Sequence, residues 1–221
     1  MFCKRDNVNL FGALDFALGK AGGDMTFDEL TAAAHDKEGF SRFFSCYRAA
    51  QAGAVPASQE ALPMRQLAKI MTHVTLLEWV APDQITYRIA GDAIIERLGF
   101  NPTGTNFLDL LHADQRTTSI EGHQTMMAHP CGCYLLYENE FENGSRAVLE
   151  TITLPMRKTA DAEAKFFFSF HAHHSTTGVA EDITDTALVV NWRRVEHADI
   201  GCGVPAGKAL LPSSVSEAAT A

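Results

Sequence analysis

The sequence predicts an α+β fold: a five-stranded antiparallel sheet with a helical insert on one face and an N-terminal helix. Three observations predict it. Two pairs of β-rich runs are each joined by turn chemistry: residues 73–80 to 84–90 through Pro82-Asp83-Gln84, and 131–141 to 145–156 through Glu142-Asn143-Gly144. The stretch between the pairs, 91–128, has helical rather than alternating spacing. A last β-rich run, 164–173, holds Phe166, Phe167, Phe168 and Phe170, so it is apolar on both sides and both faces of the sheet need a cover. Two hairpins flanking a helical insert, closed by a fifth strand, form one antiparallel sheet with helices on its face.

The elements follow in order. Phe11, Leu14, Phe16 and Leu18 suit a short helix ended by Gly22-Gly23. A second short helix follows Thr26, with Glu29 three residues on as the partner in a capping box. Residues 37–52 carry Phe40, Phe43, Phe44, Tyr47 and Ala50 on one helical stripe, with Gly53 as the expected C-cap. Residues 56–63 read as a linker and 64–71 as a short helix with Leu67, Ile70 and Met71 on one side. The first hairpin comes next. Within the insert, 91–98 is a short helix, 105–111 a helical turn, and 114–128 a longer helix with Ile120, Gln124 and Met127 on one stripe, stopped by Pro130. Residues 187–195 fit a strand or a short helix. The Ala-, Ser- and Gly-rich stretch from Pro205 onward reads as a mobile tail.

With 221 residues, 46% of them apolar and 20% charged, the chain has ordinary globular composition and enough length for a buried core. Eighteen basic against 27 acidic residues give a net charge of −9, a field that opposes nucleic acid and anionic membranes. Arg193-Arg194 is the one candidate basic patch. Five scattered cysteines form neither a disulfide framework nor a zinc ribbon, and a reducing cytoplasm is the expected home. No signal peptide is expected, and no stretch reaches the ~18–20 apolar residues of a membrane span.

Few residues point to chemistry. Gly91, Gly99 and Gly104 mark tight exits from elements and lack the spacing of a phosphate loop. His171 and His173 fall on one side of a strand, about 7 Å apart. With His112, His123 or His129 they suggest a metal or haem site; the alternative is a strand end meeting solvent. Cys131 and Cys133 share a strand face and read as small apolar fillers. Arg88 is expected either to pair with Glu78 across the first hairpin or to anchor an anionic group. Glu150 interrupts an apolar strand and, facing a pocket, would mark a polar ligand contact. No Gly-x-Ser-x-Gly, His-Glu-x-x-His or Walker-type loop occurs, and no catalytic residue is assigned.

Several local sequences in this order resemble the fifth PAS subfamily of proteobacteria: Leu62-Pro63-x-Arg65, Leu76-Leu77-Glu78, Tyr87-Arg88-Ile89-Ala90-Gly91, Leu98-Gly99, Thr103-Gly104, His129-Pro130-Cys131-Gly132 and Leu154-Pro155-Met156. The resemblance covers about residues 40–174. It implies a PAS domain over 39–174; outside it are expected a variable extension over 1–38 and a C-terminal segment over 175–221 whose composition suggests flexibility after about 205. It implies a sensory or regulatory module binding a small ligand or a signalling partner in bacteria; no kinase, cyclase or DNA-binding pattern follows in the sequence, so an output domain of its own is not expected. The alternatives are a ligand-free interaction adaptor and a His-ligated haem or metal protein. It names no cofactor and no metal. The ligand-site candidates are Tyr87, Arg88, Phe107, His123, Met127, Tyr134 and Glu150, and the 40–50 helix is the candidate cover for the sheet, from the same chain or from a homodimer partner.

Overall fold

Strand alternation sorts this chain into two layers of side chains, and each layer has its own helical cover. The computed structural model describes residues 25–140, 146–177 and 188–205. The first short helix expected near Phe11, the Asn143-Gly144 turn and the tail beyond Pro205 lie outside them.

Helix α1 (Phe27–Ala33) begins at the capping box, with the Thr26 hydroxyl accepting from the Glu29 N–H at 3.2 Å and Glu29 accepting from the Thr26 N–H at 2.9 Å. Helix α2 (Lys37–Gln51) is capped by the Asp36 side chain, which accepts from the Gly39 N–H at 2.8 Å. Its C-cap is Ala52, left-handed at φ 46°, rather than Gly53. Residues 56–63 are more than a linker: they hold strand β1 (Ala57–Ser58) and a 3-10 turn (Gln59–Ala61). The next helix, α3 (Met64–Leu67), is shorter than the sequence suggests, and a 3-10 turn (Met71–His73) replaces its end.

Strands β2 (Val74–Ala81) and β3 (Gln84–Ala90) form the first hairpin. Helix α4 (Asp92–Leu98), a 3-10 turn (Phe107–Leu110) and helix α5 (Ala113–Ala128) make the insert. Strands β4 (Gly132–Glu140), β5 (Arg146–Arg157) and β6 (Ala164–Thr177) follow as an antiparallel meander. A further strand, β7 (Leu188–Ala198), resolves the strand-or-helix alternative and pairs antiparallel with β4.

The sheet order is β3-β2-β6-β5-β4-β7, so β2 against β6 joins the two hairpin systems. The sheet has seven strands rather than five. β7 is one addition; β1 is the other, pairing parallel with β5 at Ala57 and Met156, beyond the last β4–β5 pair, Cys133 with Thr153. Met25 bridges to Ala198 beside β7.

One face of the sheet packs on α2. Phe40, Phe43 and Tyr47 are wholly buried there. Phe43 stacks on Phe168 with centroids 4.6 Å apart, and Phe40 meets Phe170 edge-on at 5.5 Å. Phe166 belongs to the same layer. The Tyr47 hydroxyl donates to the Pro155 carbonyl at 2.7 Å and so fixes α2 over β5. The cover is therefore the chain's own helix, and its aromatic stripe is used up inside the molecule. Phe167, one residue out of step, belongs to the opposite layer with Leu77, Ile85, Leu108 and Met126 under the insert. At Gly91, where β3 turns into α4, an added Cβ would lie 2.2 Å from the Met71 carbonyl oxygen.

Candidate ligand-binding site

Helix α5 holds itself off the sheet because small side chains face small side chains. Its buried stripe is Gln115, Ser119, His123 and Met126, spaced as one helical face, and Gly122 lies on the same side. Opposite lie Thr75 of β2, Thr151 and Thr153 of β5, and Ser169 of β6. Neither surface has the bulk to fill the space, and a cavity of about 320 Å³ remains. Tyr87, Phe107, Tyr137 and Trp192 supply its aromatic walls. The Ile120–Gln124–Met127 stripe read from sequence is thus not the buried one.

The cavity floor is hydrogen-bonded to itself. His171 sits between Thr75 Oγ1, 2.9 Å from Nε2, and Thr151 Oγ1, 2.9 Å from Nδ1. Thr153 Oγ1 and Ser169 Oγ are 2.8 Å apart. Burial drives the His171 pKa well below the ordinary 6.5, with the charges of Arg97 and His73 acting in the same direction. His123 hangs from α5 with Nδ1 2.7 Å from the Ser119 carbonyl, which fixes Nδ1 as the protonated nitrogen and leaves Nε2 an acceptor. Its ring meets Phe167 edge-on at 4.5 Å, and burial lowers its pKa to about 4. The Cys133 thiol on the wall is pushed up to about 12 by burial, and Cys131 beside it likewise. Every one of these shifted groups is uncharged at neutral pH. No Asp, Glu, Lys or Arg lines the cavity among the described residues.

Of the seven residues singled out from sequence, Tyr87, Phe107 and His123 line this cavity. The other four are corrected. Arg88 follows Tyr87 on β3 and so points to the other face, where Nε lies 2.5 Å from Glu78 Oε2; Lys165 reaches the second oxygen at 2.6 Å. The hydrogen bond from Lys165, then that from Arg88, holds the Glu78 carboxyl below the usual carboxylate range. Tyr134 and Glu150 are likewise on the α2 face. The Tyr134 hydroxyl donates to Glu150 Oε2 at 3.0 Å. The backbone N–H groups of His35 and Asp36 donate to Oε1 at 2.7 and 3.3 Å. Glu150 is 1% exposed, and burial pushes its pKa up. It ties the α1–α2 corner to the sheet. Met127 gives way to Met126.

The histidines read as a metal set do not assemble. His171 faces the cavity with both ring nitrogens on threonines, and His123 has its Nδ1 committed to the Ser119 carbonyl on α5. Among the described residues no group of three or more His, Cys, Asp or Glu side chains is placed to hold a metal ion. Arg193 and Arg194 are paired with Glu138 and Glu196. Among the described residues no helix is long and apolar enough to cross a membrane. Thr75, Thr151, Thr153, Ser169, Tyr137 and Trp192 were not foreseen as site residues. A signal for the first four exists: hydroxyl side chains recurring in otherwise apolar strands.

A family model described as PAS domain matches residues 37–170. No curated protein matches the chain. Two solved structures of the Cycle PAS-B domain from Drosophila melanogaster are similar to it. A single-substitution variant with bound glycerol is 14% identical with a TM-score of 0.36, and the wild type with bound ethylene glycol is 13% identical with a TM-score of 0.36. Each covers 46% of this chain and 98% of that chain.

Proposed function

This chain belongs to the PAS family, and from that premise we propose that it is a sensory or regulatory module whose cavity under α5 takes a small ligand. The observation that carries the reading is the cavity itself: about 320 Å³ of space walled by side chains from strands β2 to β7 and from α5. Ligand occupancy is relayed to a signalling partner through the helices on the opposite face. Glu150 supports this route, because it binds the α1–α2 corner while its neighbour Thr151 holds His171 on the cavity floor. Ligand binding then shifts the balance between docked and loosened packings of α1 and α2. The module reads its ligand without transforming it.

In this proposal residues 39–174 form the sensing unit, and 1–38 and 175–221 are its attachments to partners in a bacterial cytoplasm. Any homodimer uses the outer side of α2, since the aromatic stripe is occupied. The test is native mass spectrometry of the chain purified without denaturant, alongside Gly122→Leu. A co-purifying adduct that the substitution removes supports the ligand site. An empty chain that no small molecule stabilises in a thermal screen favours the ligand-free adaptor instead.

A further inference from the structure

Resting on the reading of the cavity as a ligand site, we infer that its ligand is an uncharged, flat ring compound carrying one hydrogen-bond donor, which His123 Nε2 receives.

The charge state follows from the walls. An ion entering the cavity gives up its hydration, and among the described residues no Asp, Glu, Lys or Arg side chain lines the space to replace it. Arg88, the cation that sequence suggested for an anionic ligand, lies through the sheet and is held by Glu78. Carboxylates, phosphates and ammonium groups are therefore disfavoured against a neutral molecule of the same shape.

The donor follows from the tautomer. His123 Nδ1–H is committed to the Ser119 carbonyl, so Nε2 offers a lone pair. It has no hydrogen bond to another described residue. The other polar groups on the floor already satisfy one another: His171 with Thr75 and Thr151, and Thr153 with Ser169. Among the described residues the cavity thus offers an unused lone pair at His123 Nε2, and on its far wall the Trp192 indole N–H, which has no partner and which the oxygen of a bound hydroxyl or carbonyl would suit.

The ring follows from the aromatic wall. Tyr87 and Phe107 lie 6.0 Å apart edge-to-face, Phe107 and His123 lie 5.7 Å apart, and His123 meets Phe167 at 4.5 Å. A flat molecule continues this chain of ring contacts. A volume near 320 Å³ corresponds to about ten waters, which sets the ligand at roughly ten to fifteen non-hydrogen atoms.

The experiment uses the full chain at neutral pH and four probes sharing one ring system: a naphthol, its methyl ether, the naphthoate anion and the naphthylmethylammonium cation. Calorimetry is expected to show naphthol binding, the ether roughly ten-fold weaker, and both ions weaker still. His123→Leu should erase the difference between naphthol and its ether, with His123→Gln, whose amide keeps an acceptor, restoring part of it. Gly122→Leu should abolish binding of every probe, since an added Cβ there meets no atom within 4 Å and the longer side chain has room to occupy the space. Equal affinity for naphthol and ether in the unaltered chain overturns the donor assignment. An ion that binds as well as naphthol, and is blocked by Gly122→Leu, overturns the ligand class while the cavity reading survives. Naphthol binding that is indifferent to Gly122→Leu, or no binding by any probe, removes the cavity reading and the class together.

Discussion

Glu150 and Thr151 stand back to back on β5. The Thr151 hydroxyl is 2.9 Å from His171 Nδ1 on the cavity side, and on the other side Glu150 accepts from the His35 N–H at 2.7 Å. One peptide unit separates the floor of the cavity from the anchor of the N-terminal helices.

Replacing Glu150 with Ala strands three donors, the N–H groups of His35 and Asp36 and the Tyr134 hydroxyl. The expected loss is about 3 kcal/mol, read from urea unfolding, with faster amide exchange in α1 than in the sheet. Glu150→Gln keeps an acceptor and is expected to cost about 1 kcal/mol or less at neutral pH. Equal losses for Ala and Gln would show that the hydrogen bonds are not what holds the corner.

Acid should destabilise the protein through His123. Its folded pKa is lowered to about 4 from 6.5, so between those values the unfolded chain binds the proton more strongly. Stability is then complete above pH 6.5 and falls as pH drops toward 4, by about 3 kcal/mol in total. His171 acts in the same direction. Glu150 acts oppositely: its raised pKa means that the folded state takes up a proton first, and stability is regained as pH falls through its folded value. Urea midpoints across this range should fall less steeply in His123→Gln and more steeply in Glu150→Gln than in the unaltered chain. Parallel pH profiles for all three proteins would contradict this account.

Gly91 and Gly122 should respond in opposite ways to alanine. At Gly91 the new Cβ meets backbone oxygens of Met71 and Thr72 at 2.2 and 2.4 Å, which no side-chain motion relieves. A loss of about 3 kcal/mol or failure to fold is expected. At Gly122, inside α5 with open space around it, alanine should stabilise by about 0.5–1 kcal/mol. Thermal melts of the two variants decide it.

The clamp of α2 on the sheet is tested at Tyr47. Tyr47→Phe removes the hydroxyl that donates to the Pro155 carbonyl and leaves that oxygen short of a partner, for an expected cost of about 1–2 kcal/mol. Phe43→Ala beside it opens a cavity in the aromatic layer and should cost about 3–5 kcal/mol. A Tyr47→Phe protein as stable as the parent would mean that packing alone positions α2.

Periodicity and turn residues made most of the fold legible. The capping box at Thr26 and Glu29, the Phe40–Tyr47 stripe and the Pro82-Asp83 turn each carry a local signal. β1 carried none: two residues between prolines pair with β5 only because β4 leaves that edge open at Met156. The site was legible in place but not in side. Each of the four candidates that missed the cavity adjoins a residue that lines it: Arg88 by Tyr87, Met127 by Met126, Tyr134 by Cys133, and Glu150 by Thr151. In strands a one-residue step reverses the face, and parity is set by pairing with distant strands rather than by the residue's own character. In α5 the apolar residues at 120 and 127 outweighed Ser119 and Gly122, whose smallness is what keeps the helix off the sheet.

The bridge between Met25 and Ala198 has a mechanical consequence. The Met25 N–H donates to the His197 carbonyl at 3.3 Å, and its own carbonyl accepts from the Asp199 N–H at 3.0 Å. The segment leading into α1 and the segment leaving β7 are thereby spliced at one corner. A tug on either thread strains the same knot, so two appendages fastened there would act as a single lever.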